Sequence, residues 1–536
     1  MVSALTIATF SMAPPALADN PHTLDPVVLT NPEVSYGAGS SSITVHGMHK
    51  GQPDGPKKDK PLRLLNGSQQ GKPGGGGSGS TDPVVQSTAF ASSGSVAPGR
   101  NFEGVGAGFP NFSVNSAPPD TNGAVGATQY VQWVNESFAV FDKATGAILE
   151  GPIPGNQLFQ SLGASHPCAV NNDGDPIAQY DKANGRWILT QFSVTNASTL
   201  GYWQCIAVSL TSDATGGYHV YAYKQPNFND YPKFGVFNGV YFGTYNMFNG
   251  NTFAGARLCA YDGNAMRSGA TAAEHCFQLS SSFGGVLPGD VDGTNAPPAG
   301  TSEYFASFAT NALLTWRFHV DFATAANSSL AGPYSTPVAT FTEACAGGTC
   351  IPQPGTSQQL DSLADRLMYR LSYRHFLSDG HEALFVNHSV NPGSVAAGAR
   401  WYELRPTSGG TTGVTVFQQS TYAPADGLSR WMGSIASDKN GSLALGYSTS
   451  SGSAYPSIKY SYRTFTDTLS RLGSEQVLQA GTGAQQRTLN RWGDYSAMTV
   501  DPVDDCTFWY TNEYLAVNGT FNWHTRVGSF KVNGCQ

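Results

Sequence analysis

The chain has 536 residues, with 29 Lys and Arg against 37 Asp and Glu and a formal net charge of −8. Charged residues make up only 12%, about half of the roughly 25% usual for soluble domains, whereas hydrophobic residues make up 40%. This composition excludes a disordered acidic chain, a helical repeat protein and a coiled coil. Without an excess of basic residues, it also excludes a nucleic-acid-binding surface.

The N-terminus has the features of an export signal. An apolar run ends in the sequence ALA before Asp19, which fits the small-x-small cleavage rule, so we predict a signal peptide over 1–18 and a secreted or cell-surface protein. The eight cysteines are an even number, which favours disulfides between sequential neighbours in an exported chain, Cys345–Cys350 closing the shortest loop. No other run reaches the roughly 18 apolar residues that a membrane span needs.

Composition divides the rest of the chain in two. Residues 19–104 are rich in Gly, Ser and Pro, and such a tract buries too little apolar surface to offset its ordering entropy. We therefore predict a flexible, disordered leader there, although 81–90 is apolar enough to supply one strand. From 105 to 536, short runs rich in Tyr, Phe, Val and Trp alternate with Gly, Asn and Asp turns, which predicts strands joined by hairpins.

One unit recurs seven times in 105–536: an Asp or Arg entry, an apolar strand, a polar turn and an aromatic strand. Successive entries are about 55 to 75 residues apart, enough for four short strands and their turns. We predict an all-β fold, a seven-bladed β-propeller over 105–536, with one or two sandwiches as the alternative. The last copy is short, so ring closure is expected to use a strand from near the N-terminal boundary. The entries are Asp120, Asp175, Asp230, Asp290, Asp365, Arg430 and Asp494.

In a propeller the first strand of each blade lines the central channel, so these entries should meet at one mouth. Carboxylates that share a partly desolvated cleft acquire different pKa values, which supplies the acid and the base for cleaving a glycosidic bond. The candidate catalytic acids are Asp120, Asp230 and Asp494. Nearby aromatic rings would stack on sugars and arginines would bind a substrate carboxylate. The candidate binding residues are Asp175, Asp365, Arg366, Arg430, Arg491, Trp431 and Trp492.

A structural interpretation competes with this one, because a buried Asp at a strand entry can accept backbone N–H bonds or pair with an adjacent Arg. Since seven copies exceed what chemistry requires, at most two or three of the acids are expected to be catalytic. The turns at 437–442 and 501–506 resemble Asp boxes, in which an Asp side chain folds back on the turn backbone. They also fit ordinary Asx turns. The segments 172–175 and 290–293 are compatible with structural calcium but lack EF-hand spacing, and no cofactor is expected to be required.

Several segments of the chain resemble a recurrent group of uncharacterised exported bacterial proteins. These segments include PPDTNGAVGATQYVQWVN, NDYPKFGV and RWGDYSAMTVDPVDDCTFWYTNEY. More distantly, the chain resembles the sialidase-like propeller superfamily. That resemblance implies an arginine triad for a sugar carboxylate, a Tyr nucleophile with a Glu partner, and an Asp acid. The chain departs from it in having no RIP motif and no complete Asp box. The residues implied are Arg366, Arg430 and Arg491 for the triad, Tyr495 or Tyr369 for the nucleophile, and Glu513 for its partner.

These observations predict a secreted carbohydrate-active enzyme, namely a monomeric glycoside hydrolase that acts on an extracellular polysaccharide. One alternative is a polysaccharide lyase acting on a uronate-containing glycan. Another is a non-catalytic surface propeller that binds glycan or protein, since propellers host many functions. The motifs of α/β-hydrolases, zincins, P-loop NTPases and Rossmann dehydrogenases are absent from the sequence.

Overall fold

A computed structural model describes residues 24–40, 43–51, 57–60, 63, 65, 82–407, 413–473 and 475–536. The predicted signal peptide therefore lies outside the described residues. Strands dominate, and among the described residues no helix is long and apolar enough to cross a membrane. The helices are α1 (Pro167–Val170), α2 (Ala197–Leu200) and α3 (Gly263–Ser268), with 3-10 turns at Gly155–Leu162, Ala325–Asn327 and Ala344–Gly347.

In the described part of the chain, seven short strands lie before the repeated units. Two of them pair with each other in parallel, Lys58 lying opposite Ser116. The strands are β1 (Val27–Thr30), β2 (Glu33–Gly37), β3 (Ile43–Thr44), β4 (Lys58–Asp59), β5 (Val85–Gln86), β6 (Val96–Glu103) and β7 (Ser116–Ala117).

Antiparallel meanders of four strands follow in chain order, each strand pairing with the next. The first set is β8 (Asn122–Val125), β9 (Gln129–Val134), β10 (Ser137–Asp142) and β11 (Ile148–Pro154). The second is β12 (Ile177–Asp181), β13 (Arg186–Ser193), β14 (Tyr202–Ser209) and β15 (Gly217–Gln225). The third is β16 (Phe228–Phe237), β17 (Val240–Asn249), β18 (Thr252–Tyr261) and β19 (Ala272–Gln278). The fourth is β20 (Leu287–Val291), β21 (Glu303–Ala309), β22 (Ala312–His319) and β23 (Ser329–Pro337).

A two-stranded hairpin, β24 (Thr349–Ile351) and β25 (Leu360–Asp361), separates the fourth set from the fifth. The fifth set is β26 (Met368–His375), β27 (Glu382–Val390), β28 (Gly398–Pro406) and β29 (Val414–Tyr422). The sixth is β30 (Ser429–Ser437), β31 (Leu443–Ser450), β32 (Ser457–Arg463) and β33 (Gln476–Gln479). The last is β34 (Ala497–Val500), β35 (Thr507–Tyr514) and β36 (His524–Val532).

The seventh set takes its fourth strand from the N-terminal part of the chain. Strand β6 pairs antiparallel with β36, Phe102 lying opposite Val527. This confirms that a strand from near the N-terminal boundary completes the last sheet. Strands β1, β2, β3 and β5 likewise add to the free edges of β23, β19, β15 and β29. A flexible leader is therefore not what these described residues form, because exposed sheet edges supply backbone hydrogen-bond partners to a chain with little apolar surface.

The first strands of the seven sets lie innermost. Each contacts the first strand of the next set, and β34 contacts β8, so the sets follow one another around a ring. Strands β20 and β26 pair in parallel, Gly289 lying opposite Leu371, so these two inner strands run in the same direction. The residues just before the inner strands therefore gather at one end of the ring, and the turns after them gather at the other.

Four disulfides tie neighbouring strands or close short loops, and every cysteine takes part. All four join sequential neighbours, which confirms the predicted pairing and is consistent with an extracellular protein. The pairs are Cys168–Cys205, Cys259–Cys276, Cys345–Cys350 and Cys506–Cys535.

Candidate functional site

The backbone at or near the start of several inner strands adopts a left-handed conformation. Asp120, Asp175 and Asp494 have φ of 50°, 47° and 62°, and Tyr231 and Met432 have 54° and 55° at the corresponding places of the third and sixth sets. Asp tolerates this region better than most residues because its short side chain bonds the local backbone. Part of the Asp repetition therefore has a conformational cause.

This geometry corrects the repeat alignment. The residue equivalent to Asp175 in the third set is Tyr231, so Asp230 lies one position earlier than its assigned counterparts. In the sixth set the equivalent residue is Met432, two positions after Arg430. A shift of one residue turns a side chain to another side of the strand entry. Asp230 and Arg430 therefore have surroundings that differ from those of the other entry residues.

Lys60 brings two of the predicted acids together. Its ammonium Nζ lies 3.3 Å from Oδ2 of Asp120 and 3.0 Å from Oδ1 of Asp175. Since both oxygens contact one nitrogen, they lie within about 6 Å of each other, close enough for each charge to shift the pKa of the other. Asp120 is fully buried, and its Oδ1 has no hydrogen-bond partner among the described residues.

Arg491 holds the next part of the cluster. Its Nε donates to Oδ2 of Asp361 at 3.0 Å, its Nη2 pairs with Oδ1 of Asp494, and its Nη1 donates to the carbonyl oxygen of Lys60 at 2.7 Å. The guanidinium thus joins two carboxylates to the backbone of the segment that carries Lys60. Asp120, Asp175, Asp494 and Arg491, all predicted site residues, form one buried network.

Two tyrosines and a lysine lie beneath this network. The Tyr231 N–H donates to Oδ2 of Asp175 at 3.2 Å, and the Tyr231 hydroxyl donates to the carbonyl oxygen of Asp494 at 3.1 Å. Lys233 is fully buried, with its Nζ 3.4 Å from the centre of the Tyr231 ring and 3.9 Å from that of Tyr495. Burial lowers the pKa of Lys233 to about 7, although nearby carboxylates oppose this shift.

Asp230 differs from the other acids because it is partly exposed. Burial and the neighbouring Asp175 carboxylate raise the pKa of Asp230 to about 7, while Arg366 and Arg63 partly oppose them. Arg366 pairs with Asp365, Nε to Oδ1 at 2.7 Å, and its guanidinium lies 4.5 Å from the centre of the Tyr231 ring. The predicted residues Asp365 and Arg366 therefore lie beside the same cluster.

The pKa values of the neighbouring acids differ from one another, as expected for carboxylates that lie in one buried cluster. Burial acts to raise the pKa of Asp175, but the ammonium groups of Lys60 and Lys233 outweigh it and keep this pKa below its ordinary value. Burial raises the pKa of Asp120 well above its ordinary value and that of Asp361 to about 7. One carboxylate that stays ionised therefore lies among acids that hold their protons near neutral pH.

A segment of the predicted leader covers this end of the ring. Besides Lys60, Arg63 lies 4.6 Å from the centre of the Phe228 ring and 5.4 Å from that of Phe248. Leu65 donates its N–H to Oδ2 of Asp365 at 2.8 Å. The described residues of 57–65 thus neutralise the acids and cover aromatic faces beside Asp230.

Three other predicted residues lie apart from the cluster or out of reach of a ligand. Arg430 pairs with Asp426 and with Glu475, its Nε 2.7 Å from Oε1 of the glutamate. The triad implied by the sialidase resemblance is therefore not assembled. Trp431 and Trp492 are fully buried with ring centres 5.9 Å apart, so they form core rather than a sugar platform.

Glu513 and Tyr495 are also buried. Glu513 accepts from the Gly493 N–H at 2.8 Å, and burial raises its pKa well above the ordinary value. The Tyr495 hydroxyl donates to the carbonyl oxygen of Pro176 at 2.9 Å, and burial raises its pKa as well. The two side chains thus form hydrogen bonds with backbone groups, as does the Tyr231 hydroxyl.

The candidate calcium loops use their carboxylates for other bonds. Asp173 accepts from the N–H groups of Val194 and Thr195 at 2.7 and 2.8 Å. Asp290 and Asp292 both pair with Arg370, at 2.6 and 2.9 Å. Among the described residues, one group of three potential metal ligands clusters, Cys259, Glu274 and Cys276, and its two sulfurs form a disulfide.

The turns compared with Asp boxes are Asx turns. The Oδ1 atom of Asp438 accepts from the N–H groups of Asn440 and Ser442, both at 2.9 Å. The Oδ1 atom of Asp501 accepts from the N–H of Val503 at 2.9 Å. These carboxylates stabilise the hairpin turns that contain them.

Three residues of the cluster were missed from the sequence: Lys60, Lys233 and Asp361. The run KKDKPLRL at 57–64 is a basic stretch in an otherwise Gly-, Ser- and Pro-rich region. Because the predicted ring mouth gathers several aspartates, it requires counter-charges, and this run carries them. The complementary charges of this basic run and of the aspartates were the sequence signal that could have placed Lys60 at the ring mouth. Lys233 and Asp361 gave no comparable signal, because they are single charges within apolar strands and turns.

No family model matches the chain, and no curated protein matches it. Among solved structures, it is similar to a protein of unknown function from Dyadobacter fermentans, with 12% identity and a TM-score of 0.37 over 67% of this chain and 94% of that one. It is also similar to an exo-β-1,3-galactanase from Clostridium thermocellum, with 8% identity and a TM-score of 0.31 over 84% and 98%. An ulvan lyase matches with 10% identity and a TM-score of 0.34 over 79% and 97%.

Proposed function

We propose that the chain is a secreted carbohydrate-active protein built as a seven-bladed β-propeller, and that it is a glycoside hydrolase. The observation that carries this proposal is one pair of neighbouring acids with opposite pKa shifts. Asp230 is partly exposed, with a pKa raised to about 7, and Asp175 stays ionised below its ordinary pKa. A protonated acid beside an ionised carboxylate is the arrangement that glycosidic bond cleavage requires.

In this proposal Asp230 donates its proton to the glycosidic oxygen as the bond to the leaving sugar breaks. A water molecule then forms the new bond to the anomeric carbon, and the proton that it loses returns to the Asp230 carboxylate. Asp175 presents its negative charge to the sugar ring, which becomes positive in the transition state. Lys60 contributes by keeping Asp175 ionised rather than by touching the substrate. One partly exposed aromatic side chain, Tyr202, supplies a face for stacking on a sugar. Its ring centre lies 5.8 Å from that of Phe228, whose own ring is covered by Arg63.

The test is the release of reducing ends from a panel of neutral and acidic extracellular polysaccharides by the full chain. The Asp230→Asn variant should lose activity by about a hundredfold or more, the usual contribution of a general acid. Asp379→Asn, at an exposed turn, is the matched control and should keep full activity. Thermal unfolding of all three proteins shows whether any loss comes from misfolding. Release of reducing ends that survives in Asp230→Asn contradicts the proposal.

A second candidate, a non-catalytic glycan-binding propeller, is favoured by a different observation. Asp120, Asp175 and Asp494 all bond to Lys60 or Arg491 and are at least nine-tenths buried, as expected for acids that stabilise the ring. Binding to the same panel without any release of reducing ends supports this candidate. Appearance of an unsaturated product that absorbs in the ultraviolet instead indicates a polysaccharide lyase.

A further inference from the structure

A cavity lies at the opposite end of the inner strands, away from the acidic cluster. It has a volume of about 320 Å³ and opens where β12, β16 and β20 end. Its walls come from the turn after β12, the turn after β16, helix α3 and the segment that follows β20. Its volume is at the lower end of the roughly 300–1,000 Å³ usual for small-molecule sites, so it fits one small ligand rather than a stretch of polymer.

Asp181 organises one wall of the cavity. This fully buried carboxylate accepts from the backbone N–H of Asn184 at 3.0 Å and from its amide Nδ2 at 2.9 Å. It also accepts from the Tyr241 hydroxyl at 3.2 Å and pairs with Nη1 of Arg267 at 3.3 Å. These bonds fix the β12–β13 turn against the third set, so the wall is formed before any ligand arrives.

Arg267 joins the cavity walls through a second set of bonds. Its Nη1 donates to the carbonyl oxygen of Gly239 at 2.9 Å, and its Nη2 donates to Oδ1 of Asn264. Helix α3 and the turn after β16 are therefore held together at the rim. Since the Asp181 carboxylate compensates the guanidinium charge, little net charge is left to attract an anion.

Lys182 is likewise satisfied. Its Nζ donates to the carbonyl oxygen of Val291 at 2.8 Å and lies 3.3 Å from Oδ1 of Asp292, which also pairs with Arg370. The charged side chains that line the described cavity, Asp181, Lys182 and Arg267, thus all have opposite charges as partners. The site is close to neutral, so binding either an anion or a cation would leave a charge uncompensated.

The cavity wall that a ligand would contact is partly polar and partly apolar. Asparagine side chains at positions 184, 238, 264 and 295 line the cavity. Asn184 and Asn295 donate their Nδ2 within the protein and Asn264 accepts there at its Oδ1, so each of these three offers a ligand the other atom of its amide. Apolar patches alternate with them, from Val236, Ala296 and Pro297. We propose that this cavity binds one neutral sugar unit, whose hydroxyl groups match the amides and whose C–H face matches the apolar patches. This site is separate from Asp230 and does not depend on hydrolysis there.

The test measures binding of D-glucose, D-galactose, D-mannose and D-glucuronate to the full chain by saturation-transfer NMR and calorimetry. At least one neutral sugar should bind, and glucuronate should bind about tenfold or more weakly. Ala183→Trp and Ala296→Trp place a ring in the cavity at exposed positions that tolerate a larger side chain. Each should weaken binding of the neutral sugar about tenfold or more.

Ala326→Trp is the matched control, an exposed position outside the cavity lining, and it should leave binding unchanged. Absence of binding by all three neutral sugars overturns the proposal, as does binding that both cavity variants leave intact. Preference for glucuronate overturns its charge argument. Because the readout is binding at the turn end, loss of hydrolysis in Asp230→Asn leaves this result unaffected, and the two proposals fail separately.

Discussion

The two ends of the inner strands bury charge in different ways. At the entry end, several carboxylates share Lys60 and Arg491, so each acid also feels the others, and Asp230 and Asp361 have pKa values raised to about 7. At the turn end, burial acts to raise the pKa of Asp292, but Arg370 and Lys182 outweigh it and lower that pKa to about 2.

Buried charges have different roles at the two ends of the inner strands. Where acids outnumber the nearby cations, some carboxyls keep a proton near neutral pH and become suited to proton transfer. Where Arg370 and Lys182 outweigh burial, as at Asp292, the charges fix a surface without adding reactivity. We therefore assign chemistry to the entry end and neutral binding to the turn end. Substitutions matched across the two ends test this division.

The largest expected effect follows from removing the shared cation. Arg491→Met leaves Asp361 and Asp494 buried without their guanidinium, which should reduce the free energy of unfolding by about 3–5 kcal/mol. Arg267→Met at the turn end should cost less, about 1–3 kcal/mol, because Asp181 keeps its bonds from Asn184 and Tyr241. Urea denaturation measures both. An equal or larger loss in Arg267→Met contradicts the contrast between the two ends.

The next prediction tests whether the segment that carries Lys60 stays bound to the acidic cluster in solution. Lys60→Met removes the ammonium between Asp120 and Asp175, so we expect a loss of about 2–4 kcal/mol in the free energy of unfolding. Lys58→Met, two residues away, is the control. Its ammonium is half exposed and lies 3.8 Å from Glu136, so the loss should stay below about 1 kcal/mol. Similar small losses in the two variants would mean that the segment leaves the cluster in solution.

A third prediction concerns the pH dependence that comes from the buried Lys233. The pKa of Lys233 is about 7 in the folded state and about 10.4 in an unfolded chain, so between these values the unfolded state binds more protons. Stability from this group should therefore rise as pH increases from about 7 to about 10. Lys233→Met lacks that rise and should be more stable than the native chain at pH 7. Parallel stability curves for the two proteins across this range would contradict the assignment.

The smallest effect has the opposite sign and comes from Asp230. Its pKa is raised to about 7 in the folded state, against about 3.9 in an unfolded chain, so in this window the folded state binds more protons. Stability from this group should fall as pH increases from about 4 to about 7, and Asp230→Asn should lack that fall. Asp379→Asn, at an exposed turn, should titrate like the native chain. Denaturation at several pH values measures the difference.

The sequence was sufficient for the repeat and for much of the cluster. The periodic Asp entries predicted that Asp120, Asp175 and Asp494 meet, and the short last copy predicted the closing strand supplied by β6. It was not sufficient for single-residue register. Arg430 falls two positions before the left-handed residue Met432, a difference that backbone dihedral angles reveal and composition does not.

Lys60 was missed for another reason. Composition describes the average of a segment, and the Gly-, Ser- and Pro-rich leader has too little apolar surface to fold by itself. The position of Lys60 between Asp120 and Asp175 depends on acids more than 50 residues away, so only the assembled ring explains it. Trp431 and Trp492 show the converse, since aromatic side chains beside a predicted mouth were interpreted as a platform but pack inside the core.

The most direct measurement is a pH titration of the side-chain carboxyl carbons in a sample labelled at aspartate, compared with Asp230→Asn and Asp175→Asn samples. Asp230→Asn should remove one resonance that titrates near pH 7 and leave that of Asp361. Asp175→Asn should remove a resonance that titrates below the ordinary range. If the Asp230 and Asp175 carboxyls titrate together near their ordinary value of about 3.9, the entry end holds no acid–base pair.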